Sequence, residues 1–261
     1  MKNKLIKKYS IYDLCQFLSK FFTILLKYNF KPNNQMKKVL LAVGLAFIGF
    51  TANAQEDTKK DDFKNWMIRL RGVGVTPDES AKIGVIGGDV NISNSFIPEL
   101  DITYFFTKNI AAELILGTTK HDVHTVASDI SAVGGPTSAN VDLGSVYLLP
   151  PTLTLQYHFF PMKEKVFKPY VGAGLNYTIF YNQKAGSVVK DIKYDNALGY
   201  AAQVGFDLML DDTFFINVDV KRLFLSTDVT VDASNLATGL SIPAEVDINP
   251  WLWGFGVGMR F

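Results

Sequence analysis

Charged residues recur at alternate positions within otherwise apolar segments of this chain. Arg69 and Arg71 flank one leucine, and Glu99 and Asp101 flank another. Such side chains must face something polar, because a buried charge without a partner is strongly unfavourable. These residue types predict ion pairing or ion passage in a polar interior. The predicted interior set comprises Arg69, Arg71, Glu99, Asp101, Glu113, Gln156, His158, Asn176, Gln203, Asp207, Asn217, Asp219, Lys221 and Arg260.

The charges of this set nearly cancel, since it holds four cations and five carboxylates. Two interpretations are open. The charges could line a gated polar path, or they could form a salt-bridged plug that only holds the fold together. His158 is expected to be a hydrogen-bonded interior histidine rather than a metal ligand.

A second group of reactive side chains lies in one polar stretch, where His121, Asp122, His124 and Asp129 follow one another closely. Histidine and aspartate could bind a transition metal or serve hydrolysis, but no second cluster supports them. An ordinary solvated loop is the simpler interpretation. The chain has no G-x-S-x-G, P-loop or HExxH motif, so His124 with Ser128 is the one enzymatic candidate. We expect no metal, no cofactor and no enzyme.

The elements that carry the interior set are strands of period two. The C-terminal segment Pro250 to Phe261 shows the pattern most clearly. Its one face is bulky and apolar, and the opposite face is small apart from Leu252 and Arg260. The bulky face suits a strand that faces lipid, with aromatic residues in the two interfacial girdles. The predicted girdle and insertion-signal residues are Trp66, Trp251, Trp253, Phe255 and Phe261.

The same alternation occurs eight times between Trp66 and Phe261, and the connections alternate between short and long. This asymmetry is typical of outer-membrane barrels, and each strand is near the roughly 9–11 residues needed to cross a bilayer. The sequence therefore predicts an all-β fold, an eight-stranded antiparallel transmembrane β-barrel of the bacterial outer membrane. Arg222 falls on the lipid face, where it could meet lipid phosphate or mark an error of register. The long connections, predicted to be polar loops, are 76–94, 119–145, 182–196 and 226–249.

The start of the chain predicts export. Met36 begins a basic segment, the apolar run Val39 to Phe50 is too short to span a bilayer as a helix, and an A-x-A site ends at Ala54. The expected organisation is a leader over 1–35, which is a misassigned start or an extended basic region, a signal peptide over 36–54, a periplasmic tail over 55–65 and the barrel over 66–261.

Removal of residues 1–54 would change the charge of the chain. That segment holds nine of the 26 basic and one of the 25 acidic residues, which leaves 17 basic and 24 acidic residues and a formal net charge of −7. Nucleic acid is therefore not expected as a partner. The sole cysteine, Cys15, would also be removed, so disulfide chemistry is not expected.

Two segments carry a family resemblance. Residues 149–159, LPPTLTLQYHF, and residues 168–177, KPYVGAGLNY, are similar to segments of the outer membrane protein W family, as is the terminal GVGMRF. The resemblance implies a minor porin for small hydrophobic solutes. The terminal alternation ending in Phe261 resembles the signal recognised by the barrel-assembly machinery, and lipopolysaccharide would surround the barrel.

The expected route is capture at the loop-side mouth, near Pro150 and Pro151, and release into the periplasm or sideways into the membrane. The lateral exit is easier because eight strands leave little room inside. Two alternatives are open, namely an adhesion or structural barrel whose long extracellular loops bind partners, and a lipid-modifying barrel enzyme.

Overall fold

The computed structural model describes residues 64–159 and 166–261. The predicted leader, the signal peptide and the tail up to residue 63 lie outside the described residues. Fifteen strands occur in chain order: β1 (Trp66–Thr76), β2 (Ser80–Ile83), β3 (Asp89–Ile92), β4 (Ser95–Phe105), β5 (Ile110–Gly117), β6 (Thr119–Val126), β7 (Asp142–Leu149), β8 (Thr152–His158), β9 (Phe167–Ala185), β10 (Asp191–Tyr194), β11 (Ala197–Met209), β12 (Phe214–Phe224), β13 (Ser226–Asp232), β14 (Ser241–Asp247) and β15 (Trp251–Arg260). No helix of the described part is long and apolar enough to cross a bilayer.

Eight of these strands close a barrel in the order β1, β4, β5, β8, β9, β11, β12 and β15, and all of the pairs are antiparallel. β15 returns to β1 with a register from Met67↔Arg260 to Thr76↔Trp251. Closure leaves no free strand edge, which a bilayer requires. The predicted fold class is confirmed, and the C-terminal segment is the closing strand.

Side chains alternate across the barrel wall as the period-two pattern predicts. On β15, Trp253 and Phe255 are exposed on the outside, while Leu252 is buried inside. Trp251 and Trp253 lie at the end where the long connections emerge. Phe261 lies at the opposite end and exchanges two backbone hydrogen bonds with Trp66, of 2.8 and 2.9 Å. Trp66, Trp251, Trp253 and Phe261 therefore lie at the two ends of the outer surface, whereas Phe255 lies midway along β15 and is not a girdle residue.

The four long connections are strands rather than the predicted polar loops, and that prediction was wrong. They hold β2 and β3, β6 and β7, the end of β9 with β10, and β13 with β14. β3, β6, β7 and β9 form one outer sheet, and β10, β13, β14 and β2 form the other. The physical reason is visible in β13, where Thr227, Val229 and Val231 alternate with exposed residues and are buried.

Residues 147–159 alternate in sequence as one of the eight predicted strands, but that strand is interrupted in the structure. It separates into β7 and β8 at Pro150 and Pro151. Proline has no backbone N–H to donate to a ladder, so a continuous pairing cannot run through this point.

Candidate functional site

The interior of the barrel contains a dense group of ion pairs, which we name the ion-paired cluster. Arg69 forms an ion pair with Glu113 and a second with Asp207, where Nη2 lies 3.0 Å from Oδ2. Both the guanidinium and its partners are removed from water. The members of the cluster are Arg69, Arg71, Glu99, Asp101, Glu113, Asp207, Asp219 and Lys221.

The second half of the cluster surrounds Arg71. Its guanidinium lies 2.7 Å from Asp101 Oδ2, 3.0 Å from Glu99 Oε1 and 3.2 Å from Asp219 Oδ1. Lys221 Nζ donates to the same Glu99 oxygen at 2.6 Å and lies 3.6 Å from Asp219 Oδ1. Glu99 therefore joins two cations, and the cluster extends across the interior.

Tyr170 links the two halves and was missed by the sequence analysis. Its hydroxyl donates to Asp219 Oδ2 at 2.9 Å and accepts from Asn217 Nδ2 at 3.1 Å, while its ring lies 4.9 Å from the Arg69 guanidinium carbon. The period-two alternation of the strand could have identified Tyr170 as an interior residue, because it shares its face of β9 with Asn176. Of this face, the predicted interior set contains only Asn176.

The remaining predicted interior residues are placed as follows. Gln156 and Gln203 both donate to Glu113 Oε2, at 2.6 and 3.1 Å, and His158 Nε2 lies 2.8 Å from Gln156 Oε1. The structure buries Gln156, His158, Asn176, Gln203 and Asn217. Arg260 is only half-buried, and it donates to the backbone oxygen of Lys64 at 2.8 Å with its guanidinium over the ring of Phe105.

The glycines of β15 provide space for neighbouring interior side chains, but not all of it goes to arginine. A Cβ at Gly256 would lie 2.8 Å from Arg71 Cγ, and one at Gly254 would lie 3.3 Å from Arg71 Cδ. At Gly258, however, the added atom would overlap the ring of Phe215. Gly254 and Gly256 therefore leave room for Arg71, whereas Gly258 leaves room for Phe215.

Above the ion-paired cluster, the two outer sheets enclose an apolar cavity of about 90 Å³, the upper cavity. Valine, isoleucine, leucine and alanine side chains of both sheets form almost all of its wall. Two polar members of the wall are engaged elsewhere, since Thr227 donates to Asp195 O at 2.6 Å and Thr125 Oγ1 accepts from Val141 N at 3.1 Å. The wall is formed by 26 residues, among them Val90, Val123, Leu143, Val229, Ile242 and Val246.

A smaller cavity of about 40 Å³, the lower cavity, lies between the upper cavity and the ion-paired cluster. His121, Leu148 and Ile248 line both cavities, so the two are adjacent. Glu99 and Lys221 line the lower cavity as well. An apolar entrance thus leads to a floor formed by an ion pair.

His121 is buried at the junction and not in a solvated loop as predicted. Its Nδ1 donates to Ser93 O at 2.5 Å, because a carbonyl oxygen only accepts. Nε2 therefore accepts from the hydroxyl of Thr119. Burial lowers the pKa of His121 from its usual value, although Ser93, Asp122 and Glu79 act in the opposite sense. The ring is a neutral connection between β6 and the segment before β4.

The other residues of that predicted group do not assemble a site. His124 Nδ1 lies 3.6 Å from Asp142, whereas the buried Ser128 hydroxyl donates to Gly87 O at 3.0 Å, and no hydrogen bond joins His124 to Ser128. Asp129 accepts from the backbone N–H of Ser131 at 2.9 Å, which lowers its pKa. Within residues 64–159 and 166–261, no group of three metal-ligating side chains occurs.

Arg222 lies on the outer surface, where the sequence register placed it. Its guanidinium carbon is 4.8 Å from the ring centre of Trp251, and Nη2 donates to Asp78 Oδ2 at 2.6 Å. The register was therefore right, and the charge is compensated by an ion pair and an aromatic face at the outer girdle.

Beside the lower cavity the strand ladder is interrupted over three residues on each side without a change of register, and we name this interruption the gap. β5 and β8 are paired as far as Ile115↔Thr152, and β6 and β7 resume at Thr119↔Leu148. Between these points the carbonyl of Pro150 accepts instead from side chains, Thr152 Oγ1 at 3.0 Å and Asn176 Nδ2 at 3.2 Å. Leu149 is exposed on the outside of the gap, and Gly117 and Pro150 line the lower cavity.

Comparison with known proteins agrees with this architecture. The model of the OmpW family matches residues 63–261. Outer-membrane protein y4mB of Sinorhizobium fredii is 46% identical over 231 residues, which cover 84% of this chain and 94% of that protein. Outer membrane protein W of Vibrio cholerae is 31% identical over 204 residues, which cover 76% of this chain and 88% of that protein.

Among solved structures, the crystal structure of the outer membrane protein OprG from Pseudomonas aeruginosa superposes with a TM-score of 0.65 at 26% identity, covering 76% of this chain and 96% of that chain. The relatives are described as outer-membrane proteins and not as enzymes. This chain belongs to the OmpW family and is a β-barrel of the bacterial outer membrane.

Proposed function

We propose that the barrel passes small hydrophobic molecules by capture in the upper cavity and lateral release into the membrane. The observation that carries this proposal is the upper cavity, an apolar space directly above an interior closed by ion pairs. Transfer of an apolar solute from water into such a space is favourable by about 25 cal/mol for each Å² of apolar surface removed from water.

Passage straight through the barrel is opposed by the ion-paired cluster. An apolar molecule that entered the cluster would separate buried charges from their partners, which is strongly unfavourable. The gap beside Pro150 offers a different exit, because its outer side is lined by Leu149 and the surrounding medium is hydrocarbon. A solute that leaves there does not have to enter the ion-paired cluster.

The test is uptake of a small apolar solute into liposomes that contain the purified barrel, with a variant that fills the upper cavity. Ala244 lines that cavity, and its neighbour Glu245 points outward on the same strand. Ala244→Trp should reduce the flux severalfold, whereas Glu245→Trp should leave it at the wild-type level. Equal flux in both variants, or no flux above empty liposomes, would overturn the proposal.

Binding of partners by the outer connections is the other candidate from the sequence. Removal of residues 119–145 cannot distinguish partner binding from transport, because Val123 and Leu143 of that segment line the upper cavity. Substitution of outward residues such as Lys120 and Asp122 is the appropriate test, since it spares the wall of the cavity. A loss of partner binding with unaltered flux would favour adhesion.

A further inference from the structure

We propose that the lower cavity binds the hydroxyl group of an otherwise apolar molecule, so that the preferred solutes are small apolar alcohols. This inference rests on the proposed function and specifies the class of solute. It depends on the position of Glu99 and Lys221, which line the lower cavity directly beneath the apolar wall of the upper one.

Three hydroxyl groups of the lower cavity already have acceptors. Thr119 donates to His121 Nε2, Thr152 donates to Pro150 O at 3.0 Å, and Thr178 donates to Asn176 Oδ1 at 2.7 Å. A hydroxyl group has one proton to donate, so these threonines have no donor left for a solute.

His121 has no donor left either, because Nδ1 donates to Ser93 O and Nε2 accepts from Thr119. Lys221 is different. Its ammonium carries three donors, and among residues 64–159 and 166–261 the one acceptor within hydrogen-bond distance is Glu99 at 2.6 Å, since Asp219 Oδ1 is 3.6 Å away. The donor capacity of the lower cavity therefore resides in Lys221.

The adjacent Glu99 supplies an acceptor. A carboxylate has about four acceptor positions, and the contacts of Glu99 in the cluster, with Lys221 and Arg71, are made by Oε1. A hydroxyl group is both donor and acceptor, so it matches a floor on which an ammonium and a carboxylate lie side by side. An alkane could use neither group.

A charged head group is less suitable. Glu99 and Lys221 already neutralise each other, so a charged head group would be attracted by one of them and repelled by the other. The head group would also lose its hydration on entering the dry cavity, which is strongly unfavourable. A carboxylate would also approach a cluster in which Asp101 and Asp219 accompany Glu99. A neutral hydroxyl group avoids both penalties.

The test compares eight-carbon solutes as competitors of a bound fluorescent apolar probe, with the barrel in lipid nanodiscs. The solutes are octane, 1-octanol, octanoate and octylammonium, each corrected for its partition into protein-free nanodiscs. Octanol should displace the probe at a concentration about fivefold to tenfold lower than octane, the effect of one net hydrogen bond. This comparison uses the unmodified protein, so it does not depend on the folding of a variant.

A second arm removes both members of the floor pair. In Glu99→Met/Lys221→Met neither side chain can donate or accept a hydrogen bond, so the preference for octanol over octane should fall to about the ratio of partition alone. The exposed pair variant Lys82→Met/Glu245→Met should keep the preference. Equal displacement by octane and octanol in the unmodified protein, or stronger displacement by octanoate or octylammonium, would overturn the inference. Displacement by octane without a preference for octanol would leave the proposed function intact, and displacement by none of the solutes would count against both.

Discussion

The hydroxyl of Tyr170 lies against Gly205, its partner across β9 and β11, so closely that a Cβ at Gly205 would be 2.5 Å from the tyrosine oxygen. The same hydroxyl contacts Asp219 and Asn217. The position of the tyrosine in the ion-paired cluster therefore depends on the absence of a side chain on the neighbouring strand.

Gly205→Ala should destabilise the barrel by about 1–3 kcal/mol, the usual cost of inserting a methyl group into a packed interior. The alanine would displace Tyr170 and with it the hydrogen bond to Asp219. Heat-modifiable gel migration measures the folded fraction across a temperature or urea series. Gly74→Ala is the matched control, since no atom lies within 4 Å of a Cβ at that position. Equal stability of the two variants would contradict this account.

Replacement of Arg69 tests the ion-paired cluster itself. Arg69→Met leaves the carboxylates of Glu113 and Asp207 buried without that cation, and we expect a loss of about 3–5 kcal/mol in the free energy of unfolding. Urea unfolding in detergent would measure it. Lys82→Met removes a pair with Glu245 at 3.8 Å, with side chains 86% and 58% exposed, and should change stability by at most about 1 kcal/mol. A similar loss in both variants would argue against a special role of burial.

The contrast between Arg69 and Val229 shows which features of the fold could be predicted from the sequence and which could not. A charge within an apolar strand has one acceptable environment, so the inward face of Arg69 and the closed barrel followed from alternation alone. Val229 lies in the segment 226–249, which is rich in Ser, Thr and Asp and was predicted to be a polar loop. Its strand β13 is paired with β10 and β14, and its apolar face meets a sheet formed by residues between 89 and 185, which no local pattern reveals. The upper cavity was missed as a defined space for that reason.

The neutral state of His121 predicts a dependence on pH. The pKa of an unfolded histidine is about 6.5, and burial lowers the pKa of His121 in the folded protein. The unfolded form therefore binds more protons below about pH 6.5, and the stability of the outer sheets should decrease as the pH falls from about 7 towards about 5. Amide hydrogen exchange of β3 and β6, corrected for the intrinsic effect of pH, would detect it.

The matched variants are His121→Gln and His124→Gln. The first should abolish the extra exchange at low pH, because the titrating group is gone, and the second should retain it, because His124 is half exposed beside Asp142. If the dependence on pH persisted in His121→Gln, another group would be responsible.

Ion conductance distinguishes a closed interior from a gated polar path. The purified barrel in a planar lipid bilayer should have a low ion conductance. The interior charges form ion pairs of 2.6 to 3.2 Å across the lumen, and these pairs leave no open path for ions. Arg69→Gln removes the ion pairs with Glu113 and Asp207, Glu113→Gln removes the pair with Arg69, and each change should raise the conductance. No conductance in any of the three proteins would exclude a polar path, and high conductance of the unmodified protein would show that the cluster does not close the interior.

Restoring the strand ladder beside the lower cavity tests lateral release. Pro150→Val/Pro151→Val supplies backbone N–H donors to a segment whose pairing stops between Thr152 and Leu148, and we expect the gap to close. A fluorescent apolar solute should bind as before but reach a quencher dissolved in the surrounding bilayer severalfold more slowly. Pro243→Val, in β14 of the outer sheets, is the control for introducing a donor into a strand and should leave the rate unchanged. An unaltered rate in the double variant would mean that solutes leave by another route.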